Sequence, residues 1–268
     1  MIRDITIGQY YPAQSQVHRL DPRVKIVCTL AFLVSLFLQN SILGYVVAFA
    51  FLAMVIRLSK VPVKFIVRGL KPIVILLLFT VLMNLFLTRN GNILFHYGIL
   101  TITEGGLRTC VFMTVRLIFL VMGSSIMTFT TTPNSLTDGI EKRVHVPVHE
   151  IAMMMSIALR FIPILLEETD KIMKAQIARG ADFESGNILQ RAKAMIPILV
   201  PLFVSAFRRA NDLAMAMEAR CYHGGDGRTK MKPLQYHRND RVAYLITLLY
   251  LVAIVGAGRY IPFKIWIF

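Results

Sequence analysis

The sequence predicts an all-α integral membrane protein, with about five transmembrane helices plus two long kinked helices on the cytoplasmic side. Three observations carry this prediction. Of the 268 residues, 56% are hydrophobic and the mean hydropathy is +0.60, too apolar for a water-soluble domain of this length. Unbroken apolar runs such as PIVILLLFTVLMNLFL, residues 72–87, have the length and composition of bilayer helices. The net charge is +15, from 30 Lys and Arg against 15 Asp and Glu, and the basic residues gather between the apolar runs. A soluble protein of that charge would be matched with nucleic acid. Here the positive-inside rule is the cheaper account: lipid bilayer and no nucleic acid.

The elements follow in order. Residues 1–23 form a polar arm ending in HRLDPRVK, where Asp21 reads as a helix N-cap and Pro22 as the first helical residue. No apolar segment follows the basic start of MIRDITIGQY. A cleavable signal is therefore not expected, and the first apolar helix is expected to direct insertion. The apolar stretch 26–56 would be roughly 46 Å long as one helix, against a hydrocarbon core of about 30 Å. With Gln39-Asn40-Ser41 in its middle it divides into two helices, about 24–38 and 42–57. Residues 57–71 carry Arg57, Lys60, Lys64, Arg68 and Lys71 with no acid, and read as a cytoplasmic amphipathic connection. Residues 72–87 cross outward. Asn90-Gly91 is a hairpin-turn signal followed by alternating β-type residues, and 109–129 crosses back. Four crossings from a cytoplasmic N-terminus return the chain to the cytoplasm near residue 130.

A short surface helix is expected over 132–143. Two long helical stretches follow, 148–179 and about 187–222. Each begins apolar and turns charged and Ala/Met-rich. Pro163 interrupts the first, Pro197 and Pro201 the second. Their apolar starts, 148–166 and 194–207, are short enough either to cross or to lie submerged in the interface, and the charges at Glu150, Arg160, Glu167 and Glu168 favour the submerged reading. A basic Gly-rich loop, 223–241, leads to a last crossing at 242–257, which leaves the C-terminus outside. The expected organisation is a membrane domain over 1–129 with the N-terminal arm, a cytoplasmic helical region over 130–222, and the basic loop with the final transmembrane helix over 223–268.

Chemistry-bearing motifs are scarce. No HExxH, GxSxG, phosphate-loop or GxGxxG pattern occurs, so no catalytic residue or cofactor is expected. Cys28, Cys110 and Cys221 are far apart and imply neither a disulfide nor a metal site. His145, His149 and Glu150 are the nearest approach to a metal cluster, but capping and surface polarity account for them beside their prolines. HGGDGRTK has no strand before it and no GK[ST] ending, and reads as a linker. Arg116 lies well inside an apolar helix, which marks a functional or paired charge. A structural role is favoured, with no partner nameable from sequence. The 14 methionines, among them Met153, Met154, Met155, Met215 and Met217, suit either plain packing or a surface that repacks against changing partners.

The strongest signal is a repeated Arg step, Ala178-Arg179-Gly180 and Ala219-Arg220-Cys221, each ending one of the two long helices. Either arginine alone would merely complement a helix dipole, worth about 0.3–1 kcal/mol. Two matched helices, each tipped by a planar permanent cation between small residues, suit insertion into a partner's groove to meet a carboxylate.

With DITIGQY and HRLDPRVK at the N-terminus, RLSKVPVKFIVRGLKPI, LRFIP at 159–163 and the paired Ala-Arg steps, nearly the whole chain resembles a known family. This is the transmembrane T subunit of energy-coupling factor (ECF) transporters, EcfT, related to the cobalt-transport subunit CbiQ. The resemblance implies that the two long helices are coupling helices whose Ala-Arg-Gly tips engage two ABC-type ATPase subunits. The upper halves would serve a small membrane-embedded S component that binds a vitamin or other micronutrient, several such components sharing one module in a cell membrane. ATP hydrolysis would belong to the partners. Carried over, Ala178, Arg179 and Gly180 form the first motif and Ala219, Arg220 and Cys221 the second. Cys221 departs from the family glycine, which makes a left-handed cap there less comfortable. The rival from another class, a self-contained secondary transporter with its own site, would need an inverted repeat or a cluster of buried polar groups. A membrane-surface scaffold is the third reading.

Overall fold

The first helix begins where a buried charge cluster fixes it. Asp21 caps the helix by accepting from the Arg23 backbone N–H at 2.9 Å, and Pro22 supplies a first-turn residue with no N–H to orphan. The structure, a computed structural model, describes residues 10–39, 41–87, 93–97, 100–143, 148–181, 183, 188–224 and 234–260. The chain falls into two units, one built on Gly8–Gly139 and Leu234–Phe268, the other on Ile140–Pro233.

In the first unit, α1 (Pro22–Leu38) and α2 (Ile42–Ser59) are separate helices either side of the polar 39–41 turn, as the length argument requires. Helix α2 ends with Lys60 left-handed (φ 53°), its N–H reaching the Arg57 carbonyl, and Pro62 follows two residues on. The basic 57–71 stretch is not a separate connection. Most of it is the first limb of α3 (Val63–Leu87), which bends by 59° between Val63–Lys71 and Ile73–Asn84. The proline at position 72 explains the bend: it has no N–H to donate one turn back, so the helix turns there without stopping. Strands β1 (Ile93–Tyr97) and β2 (Leu100–Thr103) pair antiparallel, so the segment between α3 and α4 holds a hairpin. Its register sets Tyr97 opposite Leu100; the Asn90-Gly91 signal lies outside the described residues. Helices α4 (Glu104–Thr130), α5 (Pro133–Arg143) and α8 (Arg238–Tyr260) follow the expected positions. Thr103 caps α4 through the Gly106 N–H, and Thr132 caps α5 through that of Ser135.

The core of this unit is aromatic. Phe51 stacks on Tyr250 with ring centres 4.2 Å apart, and Phe32 closes the group at 5.8–5.9 Å. Ser35 donates to the Phe32 carbonyl, so the Tyr250 hydroxyl donates to Ser35 at 2.7 Å. Helix α4 reaches this cluster through Gly123: a Cβ there would meet the Phe32 ring at 2.6 Å. Outward-facing Phe37, Phe49, Ile75 and Leu248 are more than half exposed, as lipid-facing residues are.

Arg116, 9% exposed, now has partners. Its Nε donates to the Tyr45 hydroxyl at 3.0 Å and its Nη2 to the Gln39 carbonyl at 2.9 Å. Gln39 is the C-cap of α1, so the cation sits at the negative end of that helix and ties the α1–α2 turn to α4.

At the opposite ends of these helices lies the charge cluster. Arg23 grips Asp21 with two bonds of 3.0–3.1 Å, reaches the Leu234 carbonyl and covers the Tyr236 ring at 4.4 Å. Asp240, 1% exposed, accepts from the Asp21 N–H at 2.9 Å and from the His237 N–H at 2.7 Å. It thus caps α8 and anchors α1 together. Lys25 bridges the carbonyls of His18 and Thr130. The arm is strapped on by Tyr11, which donates to the Phe129 carbonyl, and by His18. The His18 Nε2–H donates to the Tyr11 carbonyl at 2.9 Å, and Nδ1 hydrogen-bonds the Ser15 hydroxyl at 2.6 Å.

The second unit holds α6 (Val148–Ala178) and α7 (Ile188–Glu218), both unbroken through their prolines and packed on each other. Among the described residues α2, α4, α7 and α8 are each long and apolar enough to cross a membrane, and bent α3 is a fifth candidate when its two limbs are taken as one span. The count of five agrees with the expectation, but its membership differs. At 17 residues α1 falls at the short limit for a crossing, while the apolar start of α7 extends far enough to qualify.

Two outcomes are expected. Asp240→Ala strands two buried N–H groups and should destabilise the protein by about 3 kcal/mol, read by thermal unfolding in detergent, with Asp240→Asn losing less. Burial pushes the His18 pKa below its ordinary 6.5, with Lys25 adding to that and the Tyr11 carbonyl opposing it. The folded state therefore resists a proton that the unfolded chain accepts. Arm stability should be full above pH 6.5 and fall as pH drops below it, seen as loss of amide protection over residues 11–20. His18→Gln should abolish that dependence.

Candidate functional site

Helices α6 and α7 run antiparallel. Gln176 on α6 donates to the Pro197 carbonyl at 3.3 Å, and Arg209 on α7 meets Glu168 on α6 at 3.1 Å. The acceptor has a local cause. A helix carbonyl normally serves the N–H four residues on, but that residue is Pro201, which has none. Pro201 thus leaves the Pro197 carbonyl free in mid-helix, and the neighbouring helix takes it. The Arg209–Glu168 pair is partly exposed and worth only about 0–1 kcal/mol.

The two Arg steps end these helices in the same way, bond for bond. At the first tip Arg179 N–H reaches Gln176 O at 3.0 Å, Gly180 N–H reaches Ile177 O at 2.9 Å, and Ala181 N–H reaches Gln176 O at 3.0 Å. At the second, Arg220 reaches Met217 O at 3.1 Å, Cys221 reaches Glu218 O at 2.9 Å, and Tyr222 reaches Met217 O at 3.1 Å. Each is a Schellman cap with Arg as the last half-helical residue and a left-handed residue after it. Gly180 has φ +88° and open space around it; Cys221 has φ 54°. Cys221 therefore adopts the glycine-favouring conformation despite its Cβ, at a cost of about 1 kcal/mol. Ala178, Arg179, Gly180, Ala219, Arg220 and Cys221 are all exposed.

The antiparallel packing sends the two tips to opposite ends of the pair. Taking 1.5 Å per residue from the two cross-helix contacts, Arg179 and Arg220 lie about 35 Å apart. Between them the helices expose an apolar face that includes Met154, Met155, Met195, Leu199, Phe203 and Phe207. Among the described residues no group of three His, Cys, Asp or Glu side chains is placed to hold a metal ion. His145 lies outside the described residues, and Glu150 is exposed. Sequence reasoning missed the Gln176–Pro197 bond and the Glu168–Arg209 pair. The i, i+4 prolines were the available signal for the first.

Fold and site define an integral membrane protein of five candidate spans carrying two identically capped, outward-pointing Arg tips. Residues 13–231 match the model of the CbiQ family, described as cobalt transport protein. The energy-coupling factor transporter transmembrane protein EcfT of Clostridium kluyveri is 56% identical over 256 residues, covering 93% of this chain and 95% of that one. The protein of the same name from Acidaminococcus fermentans is 52% identical over 268 residues, covering 98% and 100%. That from Bacillus subtilis is 47% identical over 261 residues, covering 95% and 98%. This chain belongs to the CbiQ family, and within it to the transmembrane components of energy-coupling factor transporters.

Cys221→Gly should relax the second tip and stabilise it by about 1 kcal/mol, while Gly180→Val should cost the first tip at least as much. Hydrogen exchange at the amides of residues 180–181 and 221–222 reads both directly.

Proposed function

We propose that this chain couples ATP hydrolysis by two ABC-type ATPase subunits to uptake of a vitamin or other micronutrient held by a separate membrane-embedded S component. The protein hydrolyses nothing itself. The observation that carries this reading is the pair of identical caps on opposite ends of one antiparallel helix pair. A rigid tip that ends in a planar cation, with small residues on either side, enters a groove and pairs with a carboxylate in two directions at once. Two such tips about 35 Å apart suit two copies of one partner better than two contacts on a single small one. Residues 130–222 then form the force-transmitting region, 1–129 with the final helix the membrane domain, and the N-terminus is cytoplasmic.

In this mechanism the ATPases approach each other on binding ATP and draw the tips with them. The Gln176–Pro197 bond and the part-exposed Glu168–Arg209 pair are each weak, so the α6–α7 packing changes at small cost. The apolar, Met-rich face then presents a different surface to the S component, whose identity sets the substrate. The cell membrane supplies the setting.

Wild-type chain expressed with its host's ATPases should bring down two ABC-type ATPase subunits. Arg179→Glu and Arg220→Glu should each weaken that association about thirtyfold or more, since each leaves a partner carboxylate facing a like charge. Wild-type chain that recovers no ATPase, or a double variant that keeps a working complex, overturns the reading.

A further inference from the structure

An apolar crevice enters the first unit beside the charge cluster. Its outer lobe, about 270 Å³, lies between the arm, the end of α2 and the start of α8. It shares Val17, Leu20, Leu58, Ala243 and Ile246 with an inner lobe of about 120 Å³. The inner lobe continues to Phe51 on α2 and Thr247 on α8. From Leu58 to Phe51 is about 10 Å along the helix, two thirds of one leaflet's hydrocarbon depth. Its volume is several times the roughly 30 Å³ share of one water, and its walls give water few partners.

The mouth is basic. Arg19, Arg57, Lys60, Arg238 and Arg241 flank the lining residues in the chain, are exposed, and enter no ion pair among the described residues. Asp21 and Asp240, next to the lining residues in the chain, are buried and turned to Arg23 and to backbone N–H groups. By the positive-inside rule this end faces the cytoplasmic leaflet, where the anionic lipids are.

We propose that the crevice is a binding site for an anionic phospholipid of that leaflet, one acyl chain filling the inner lobe and the headgroup phosphate resting on the Arg57, Lys60 and Arg241 rim. Charge complementarity selects the occupant: a zwitterionic lipid would satisfy the apolar lobe but leave the rim unmatched. The site is independent of the ATPase-coupling reading, and its test is separate.

The full-length chain, with any subunits that co-purify, is placed in phosphatidylcholine vesicles doped with a phosphatidylglycerol carrying a photoactivatable acyl chain. Label is expected on the inner-lobe residues between Val24 and Thr29, Phe51 and Leu58, and Ala243 and Thr247. Unlabelled phosphatidylglycerol should compete better than phosphatidylcholine, with about fivefold of that preference lost for each of Arg57→Gln, Lys60→Gln and Arg241→Gln. Ala243→Trp, which plugs the passage between lobes, should abolish the label. Label spread over the outward faces of α2 and α8, equal competition by the two lipids, or label retained by Ala243→Trp overturns the proposal. Should Ala243→Trp not fold, the wild-type label map and the competition decide alone.

Discussion

Everything in the first unit is referenced to one buried carboxylate. Asp240 holds the backbone of Asp21 and the backbone of His237 at once, so the starts of α1 and α8 share an anchor although 219 positions separate Asp21 from Asp240. Arg23 and Lys25 complete it by tying in the Leu234 carbonyl, the arm and the end of α4. In an apolar surrounding such a cluster holds only if nearly every donor and acceptor is used, because a stranded charge costs far more than an unformed surface pair. The aromatic stack of Phe32, Phe51 and Tyr250 then packs on helices whose register is already set.

Arg116 does the corresponding job at the other face. An arginine bound to a helix C-cap carbonyl and a tyrosine hydroxyl holds the α1–α2 turn. The membrane unit is thus clamped at both ends by buried cations, while its middle relies on apolar packing.

Much of this was legible in the sequence, element by element. Asp21-Pro22 announced the start of α1 because capping is a local event, and length alone divided 26–56 at Gln39. The glycine cap at Gly180 was readable for the same reason. What stayed hidden depended on groups with no side-chain signature or on distant pairings. One partner of Arg116 is a backbone carbonyl, which carries no side-chain signature in the sequence. The proline at position 72 bends a helix that continues, where the charge pattern argued for a boundary. Asp240 fell within the expected basic loop 223–241, and its second bond is to a residue at the far end of the chain. At the tips, the paired motif was visible but its geometry was not, for a cysteine is a poor forecast of a left-handed backbone.

The carbonyl freed by Pro201 has a consequence of leverage. With the Glu168–Arg209 pair, it fixes where the two long helices bear on each other, and that bearing is off centre. Arg179 stands about 10 Å beyond its midpoint along α6, Arg220 about 25 Å along α7. The same rotation about this bearing therefore carries Arg220 on α7 about two and a half times as far as it carries Arg179 on α6. Tips with identical caps are in this respect not equivalent: the short arm transmits the larger force and the long arm the larger stroke.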